Sequence, residues 1–290
     1  MAWTLSHDLA EFREVAGDFL RARPDRNTVL LSVSAGLAAV GPDLYGDDTP
    51  LFGWWRPSRG AEVAGALLWT PPHAVCLSAM PANAAAELPA LLAELEPRPL
   101  SVRGEEALAE TVTTALAGQH GNGGTERLVG ERLYRLASLR PPEPAPHGQA
   151  RLATTDDRDL LLGWLRQFQI DIGNSPNAAN PRNLDARIAD GRLTLWEVDG
   201  EPVSMAGRTG PAAGSARIGP VYTPAALRGR GYAGAAVAAA ARRGLEGGLR
   251  EIVLFADRAN PTSNALYERL GFVPVGDYAV FACRGATALA

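Results

Sequence analysis

The run Arg228-Gly229-Arg230-Gly231-Tyr232-Ala233-Gly234 stands directly before an alanine-rich stretch, Ala235 to Leu245. Glycine carries no Cβ, so a backbone with glycines at 229 and 231 can approach a ligand closely. The stretch that follows has no proline and strong helix propensity. A loop opening onto such a helix gathers N–H groups without intrahelical partners at the positive end of the helix dipole. That arrangement binds a phosphate or a diphosphate. Glycine spacing alone describes a tight helix-capping turn equally well, so the neighbouring elements must decide.

Upstream, Ala216 to Thr223 reads as a strand stopped by Pro224, and the glycine loop therefore follows a strand. Downstream, Glu251 to Ala256 reads as a buried strand leading into the segment Asp257 to Phe272. Asn260 stands where an N-cap belongs, and Pro261 at the first helical position loses nothing by lacking an N–H. Leu266 and Leu270 share one face, Gly271 suits the C′ position, and Phe272 can fold back on the helix end. Asn260, Asn264 and Tyr267 are left for the other faces, with Tyr267 about two turns, roughly 10 Å, from the helix start.

With these elements in place, Arg228-x-x-Gly231-x-Ala233 resembles the R/Q-x-x-G-x-G/A signature of the GNAT superfamily of acyl-CoA-dependent N-acyltransferases. The Asn260 to Phe272 segment is similar to that family's asparagine-to-tyrosine helix with its terminal leucine-glycine-phenylalanine. The resemblance covers about residues 190 to 282 and, more loosely, back to about 150. It implies that the backbone of Arg228, Gly229, Arg230, Gly231, Tyr232, Ala233 and Gly234 holds the diphosphate of acetyl-CoA, the co-substrate. It implies further that Val221, Tyr222 and Thr223 pair with the pantetheine arm and acetyl carbonyl, and that Asn260 and Ser263 serve the pantetheine region. Tyr267 would then stand near the sulfur as general acid, since a hydroxyl with a pKa of about 10 stays protonated at neutral pH. The competing reading of Tyr267 is a half-buried packing aromatic.

Composition bounds the function. The chain has 290 residues, which suits two domains, and a 46% hydrophobic share is ample for packed cores. A net charge of −4 argues against a nucleic-acid partner. All 28 basic residues are arginine, which excludes a P-loop lysine and a Schiff-base lysine. Cys76 and Cys283 form no metal spacing and read as small buried hydrophobes, so no metal is expected. Neither a signal peptide nor an apolar run of membrane-spanning length is visible, and the expectation is a cytoplasmic protein, with a homodimer left open.

Pro141, Pro142, Pro144 and Pro146 mark a stiff linker over residues 141–147. On either side, predicted elements recur in one order: two helical stretches, three strands, a helix, a strand, a helix and a final strand. The expected fold is α/β, with two GNAT-like domains in tandem, each a mixed, mostly antiparallel sheet flanked by helices. Residues 1–140 form the degenerate copy and 148–290 the catalytic one, with the last strand, Val273 to Ala282, in the second. The first copy has Pro81 to Glu87 where the glycine loop should stand, without glycine and with an acid near the helix start. Its following helix, Glu105 to Ala117, has no tyrosine, so the first copy is expected to be catalytically silent. The adjacent Trp54 and Trp55 must face opposite sides of a strand, one towards the core and the other outward.

A base is harder to place. All four histidines (His7, His73, His120 and His147) lie outside the 148–290 copy. Asp171, in the loop where GNAT proteins contact acceptors, is the leading candidate, with Glu197 and Asp257 behind it. The sequence thus points to an N-acetyltransferase moving an acetyl group from acetyl-CoA to the primary amine of a small molecule by direct attack, with no nucleic-acid or membrane partner. The alternatives are an acyltransferase acting on a peptide amine and a non-catalytic acyl-CoA sensor or partner module.

Overall fold

The computed structural model describes residues 2–119 and 124–284. In chain order the elements are β1 (Ala2–Ser6), α1 (Leu9–Val15), α2 (Gly17–Ala22), α3 (Thr28–Val40), β2 (Leu51–Arg56), β3 (Gly65–Trp69), β4 (Val75–Leu77), α4 (Ala82–Ala93), β5 (Ser101–Glu105), α5 (Glu106–Gln119) and β6 (Thr125–Leu136). They continue with β7 (Gln149–Leu152), α6 (Arg158–Asp171), α7 (Pro181–Ala189), β8 (Leu193–Val198), β9 (Glu201–Arg208), β10 (Ser215–Tyr222), α8 (Tyr232–Glu246), β11 (Glu251–Asp257), α9 (Pro261–Arg269) and β12 (Phe272–Cys283).

The chain divides into two compact units. One holds residues up to Leu133, Asp257–Ala259 and the chain from Val275 on; the other holds Tyr134–Ala256 and Asn260–Pro274. Each unit carries the same mixed pattern. In the first, β1, β2, β3 and β4 pair antiparallel in sequence order, and β4 then pairs parallel with β5. In the second, β7, β8, β9 and β10 pair antiparallel in order, and β10 pairs parallel with β11. The edge strands β1 and β7 are absent from the sequence reading, because they are short and lie beside helix-forming stretches.

Packing explains the layers. In the second unit, α8 and α9 share one apolar cluster with Ile218, Ile252 and Leu254 of the sheet. Helices α6 and α7 supply a separate cluster, with Leu193, Leu195, Met205 and Tyr222. The helix α8 succeeds because its sheet-facing residues are small: Gly234, Ala236, Ala238 and Ala241 are all buried. In the first unit, both Trp54 and Trp55 are buried, at 4% and 1% exposure, so neither is the outward residue expected. Strand β2 is covered on both faces. Phe52 stacks on Phe12 of α1 with centroids 5.1 Å apart, while the Trp55 indole donates to Glu87 of α4 at 3.1 Å.

The last strand departs from the linker-centred division. From Tyr278 to Ala282, β12 pairs antiparallel with β5 of the first unit, and Ala279, Phe281 and Cys283 enter that unit's core. The sequence predicts a strand over Val273 to Ala282, and only tertiary pairing chose its neighbour. A Phe281→Ala variant should lose about 3–5 kcal/mol of stability, read as a lowered urea midpoint for the first unit.

Candidate functional site

The site begins where the parallel pair in the second unit comes apart. Pairing of β10 with β11 runs from Ser215↔Glu251 to Ile218↔Leu254 and stops there. Pairing of β10 with β9 continues to Tyr222↔Met205, with a shift of register between Ile218 and Val221. Beyond Ile218, the backbone of β10 on its β11 side is therefore released from the ladder. Such an edge can accept an extended, amide-bearing ligand as if it were another strand.

Thr223 directly follows the strand, and its hydroxyl lies 2.8 Å from the buried Ser204 hydroxyl. Pro224 and a 3-10 turn, Ala225–Leu227, lead to the glycine loop. Gly229 and Gly231 have φ of +78° and +83°, in the left-handed region that side chains with a Cβ resist. The first helical amide to find a carbonyl is that of Ala235, bonded to Gly231 at 3.2 Å. Among the described residues, none of the amides of Gly229 to Gly234 donates to a backbone carbonyl. A Cβ built at Gly229 would meet nothing within 4 Å, and one at Gly231 only Pro146, at 3.7 Å. This open cradle of backbone donors at a helix N-terminus fits the diphosphate of an acyl-CoA.

The side chains do different work. Arg228 does not extend from the cradle: its Nε donates to the Thr223 carbonyl at 2.9 Å, its Nη2 reaches Asp171 at 2.5 Å, and its guanidinium lies 5.9 Å from the centre of the Tyr222 ring. The backbone of Arg228 can still serve a phosphate, but its guanidinium secures the end of β10. Arg230 is exposed, with Nη2 3.5 Å from the Ala226 carbonyl. Tyr222 is buried and packs against Trp164 of α6 at 5.9 Å, so its side chain is core and only its backbone faces the gap.

Asn260 caps α9, its Oδ1 accepting from the Ser263 amide at 3.0 Å, while its carbonyl accepts from Asn264 at 2.7 Å. The Asn260 Nδ2 group is thus the part of this side chain suited to a ligand carbonyl. Ser263 is half-buried beside it, its amide already used by the cap. Tyr267 is 8% exposed and shares an apolar cluster with Val221. Burial pushes its pKa up to about 12.

One contributor has no signature in the sequence. Tyr134, on β6, is fully buried, and its ring centre lies 6.5 Å from that of Tyr267. Its hydroxyl is 2.9 Å from Asn264 Oδ1 and 3.2 Å from Glu268 Oε1, so it ties α9 to the end of β6. No local pattern could link residues 130 positions apart, and the only cue was a tyrosine amid a charged strand.

The base candidates each have hydrogen-bond partners. Asp171 accepts from Gln167 at 2.8 Å and from Arg228, and these bonds, Gln167 first, hold its carboxyl below the usual carboxylate range. A carboxylate so satisfied is a weaker base than an ordinary one and takes no proton near neutral pH. Glu197 is likewise depressed, chiefly by Arg151 at 2.5 Å. Asp257 accepts from the Ala259 amide at 2.8 Å. His147 is exposed beside Asp199, and His120 lies outside the described residues. Among the described residues, no three His, Cys, Asp or Glu side chains group to hold a metal, and no helix is long and apolar enough to cross a membrane.

The arrangement defines an α/β domain with a split parallel pair at its centre and open backbone donors at the start of α8. Residues 158–272 match the Acetyltransferase (GNAT) family, so the second unit carries a GNAT acyltransferase domain. No curated protein matches the sequence. Among solved structures, the chain is similar along its length to a GCN5-related N-acetyltransferase from Sphaerobacter thermophilus, at 16% identity and a TM-score of 0.64, covering 99% of this chain and 98% of that one. It is also similar to a Drosophila protein, at 12% identity and 0.69, covering 98% and 99%. A GNAT-family acetyltransferase from Colwellia psychrerythraea matches at 13% and 0.58, covering 97% and 98%. At such identities the likeness speaks for the fold, and its full-length coverage agrees with two GNAT-like halves.

The cradle generates a direct expectation. Gly231→Ala introduces a Cβ where φ is +83° and should weaken coenzyme A binding by about tenfold or more, measured by calorimetry. Removing the outward guanidinium with Arg230→Ala should change affinity far less.

Proposed function

We propose that this protein is an N-acetyltransferase that moves an acetyl group from acetyl-CoA to the primary amine of a small molecule by direct attack. The observation that carries the reading is the set of unpaired amides from Gly229 to Gly234, standing at the end of the released edge of β10. The amides would hold the diphosphate, and the backbone of Val221 to Thr223 would hold the pantetheine arm and polarise the thioester carbonyl. Bound there, the thioester supplies an activated acyl group.

Tyr267 supports the leaving sulfur. With its pKa raised to about 12, its hydroxyl keeps its proton at any working pH. An ordinary thiol has a pKa of about 8.5, so full transfer of the tyrosine proton to a thiolate is uphill by roughly 5 kcal/mol. The hydroxyl therefore stabilises developing negative charge as a hydrogen-bond donor, and the proton reaches sulfur from solvent afterwards. Acyl transfer needs such a donor at the sulfur, whereas a CoA-sensing module does not, so the tyrosine favours an enzyme.

Because the carboxylates nearest the loop are held by arginines or amides, the acceptor is activated by water, its ammonium losing a proton to solvent before attack. The first unit is assigned no chemistry. Its β4–α4 junction lacks glycine, Pro81 caps α4 without a side-chain bond, and Glu87 places a carboxylate in that helix.

Acetyl-CoA turnover against a panel of small amines tests the reading. Tyr267→Phe should lower kcat about 10- to 100-fold with little change in coenzyme A affinity, the loss of one hydrogen bond to a charged group. Equal turnover would remove the donor role. The acceptor's own ionisation predicts that kcat/KM rises with pH with unit slope towards the amine pKa, about 10 for an alkylamine. A plateau beginning near neutral pH would instead reveal an enzymic base.

A further inference from the structure

The break in β10 is built on Gly219-Pro220, and Gly219 has φ of +151°. The Gly219 carbonyl accepts from Arg187 Nη1, on α7, at 2.7 Å. The same guanidinium is aimed from its other side, its Nε donating to Asn183 Oδ1 at 2.9 Å, one turn earlier on α7. Space for it comes from Gly207 on β9, which pairs with Leu193 of β8. A Cβ at Gly207 would stand 2.8 Å from Arg187 Nη1, 3.0 Å from the Gly219 oxygen and 3.1 Å from Pro220 Cδ. Three residues on three elements thus make one contact at the point where β10 leaves its partner.

We propose that Arg187 is a positioning residue for acyl transfer, holding the β10 break so that Val221 to Thr223 present their backbone in one fixed place. This rests on the acyltransferase reading of the same strand. A strand released on one side needs another restraint, because a misplacement of about 1 Å can cost about 100-fold in rate. The Gly219 carbonyl has left the β11 ladder, and a guanidinium is a donor that cannot be deprotonated. Arg187 lies on the face of α6 and α7, opposite α8, so the diphosphate cradle does not depend on it.

The test compares Arg187→Ala, Arg187→Lys and Gly207→Ala in the full chain, reading kcat, coenzyme A affinity and amide hydrogen exchange. Arg187→Ala should lower kcat about 10- to 100-fold and speed exchange at residues 221–223, with a clearly smaller loss of coenzyme A affinity because the diphosphate cradle remains. Gly207→Ala keeps the guanidinium but pushes it from the carbonyl, and should reproduce the same pattern. Lysine at 187 retains one donor and should restore part of kcat. Wild-type kcat in Arg187→Ala or Gly207→Ala overturns the proposal, as does a parallel loss of kcat and affinity without rescue by lysine. Should Arg187→Ala fail to fold, Gly207→Ala and Arg187→Lys decide alone. If the wild-type chain acetylates no amine, the acyltransferase reading fails. Exchange at 221–223 then reads the clamp independently, and unchanged protection sinks it.

Discussion

A helix must begin with several amides that its own turns cannot satisfy. Helix α8 begins in the open, after two glycines with positive φ, and leaves those amides without carbonyl partners. The rest of the second unit is arranged around that unmet demand. The loop follows directly from β10, the strand that parts from its parallel neighbour, so the amides and the released edge lie consecutively on one stretch of chain. The small residues along α8 let the helix sit close on the sheet, which brings its first turn near the strand end.

Charge is used for architecture more than for proton transfer. With arginine as the sole basic side chain besides histidine, carboxylates near the site meet a planar fork that satisfies them fully and does not lose its proton. Arg228 joins the Thr223 carbonyl to Asp171, and Arg151 joins Asp157 to Glu197. Arg158 does the same for Asp185 at the surface. In the proposed reaction the chemistry falls to backbone groups and to a buried tyrosine, both of which would act by hydrogen bonding without changing charge.

The two units repeat one strand pattern but keep different parts of it. In both, an antiparallel run ends in a parallel pair, the place where a strand–helix crossover can carry a ligand loop. The second unit spends that crossover on glycines and a free helix start. The first fills it with alanines and a glutamate bound by Trp55, and buries both tryptophans of β2. An open glycine loop in one unit and packed alanines in the other are two outcomes of the same geometry.

Residues 228–234 and 260–272 were legible in the sequence because each depends on local rules: glycine at positive φ, asparagine as a cap, proline at the first helical position, glycine at the end. These rules act over a single turn, so spacing along the chain reports them. The same is true of the strand–loop–helix order and hence of the fold class. Tertiary structure alone decided which groups meet. It turned Arg228 away from the cradle and onto Asp171, set Tyr134 beside Tyr267, and placed the second half of β12 against β5. Each of these joins residues far apart in sequence, where the choice of partner follows from packing and charge in the finished fold, and no local spacing encodes it.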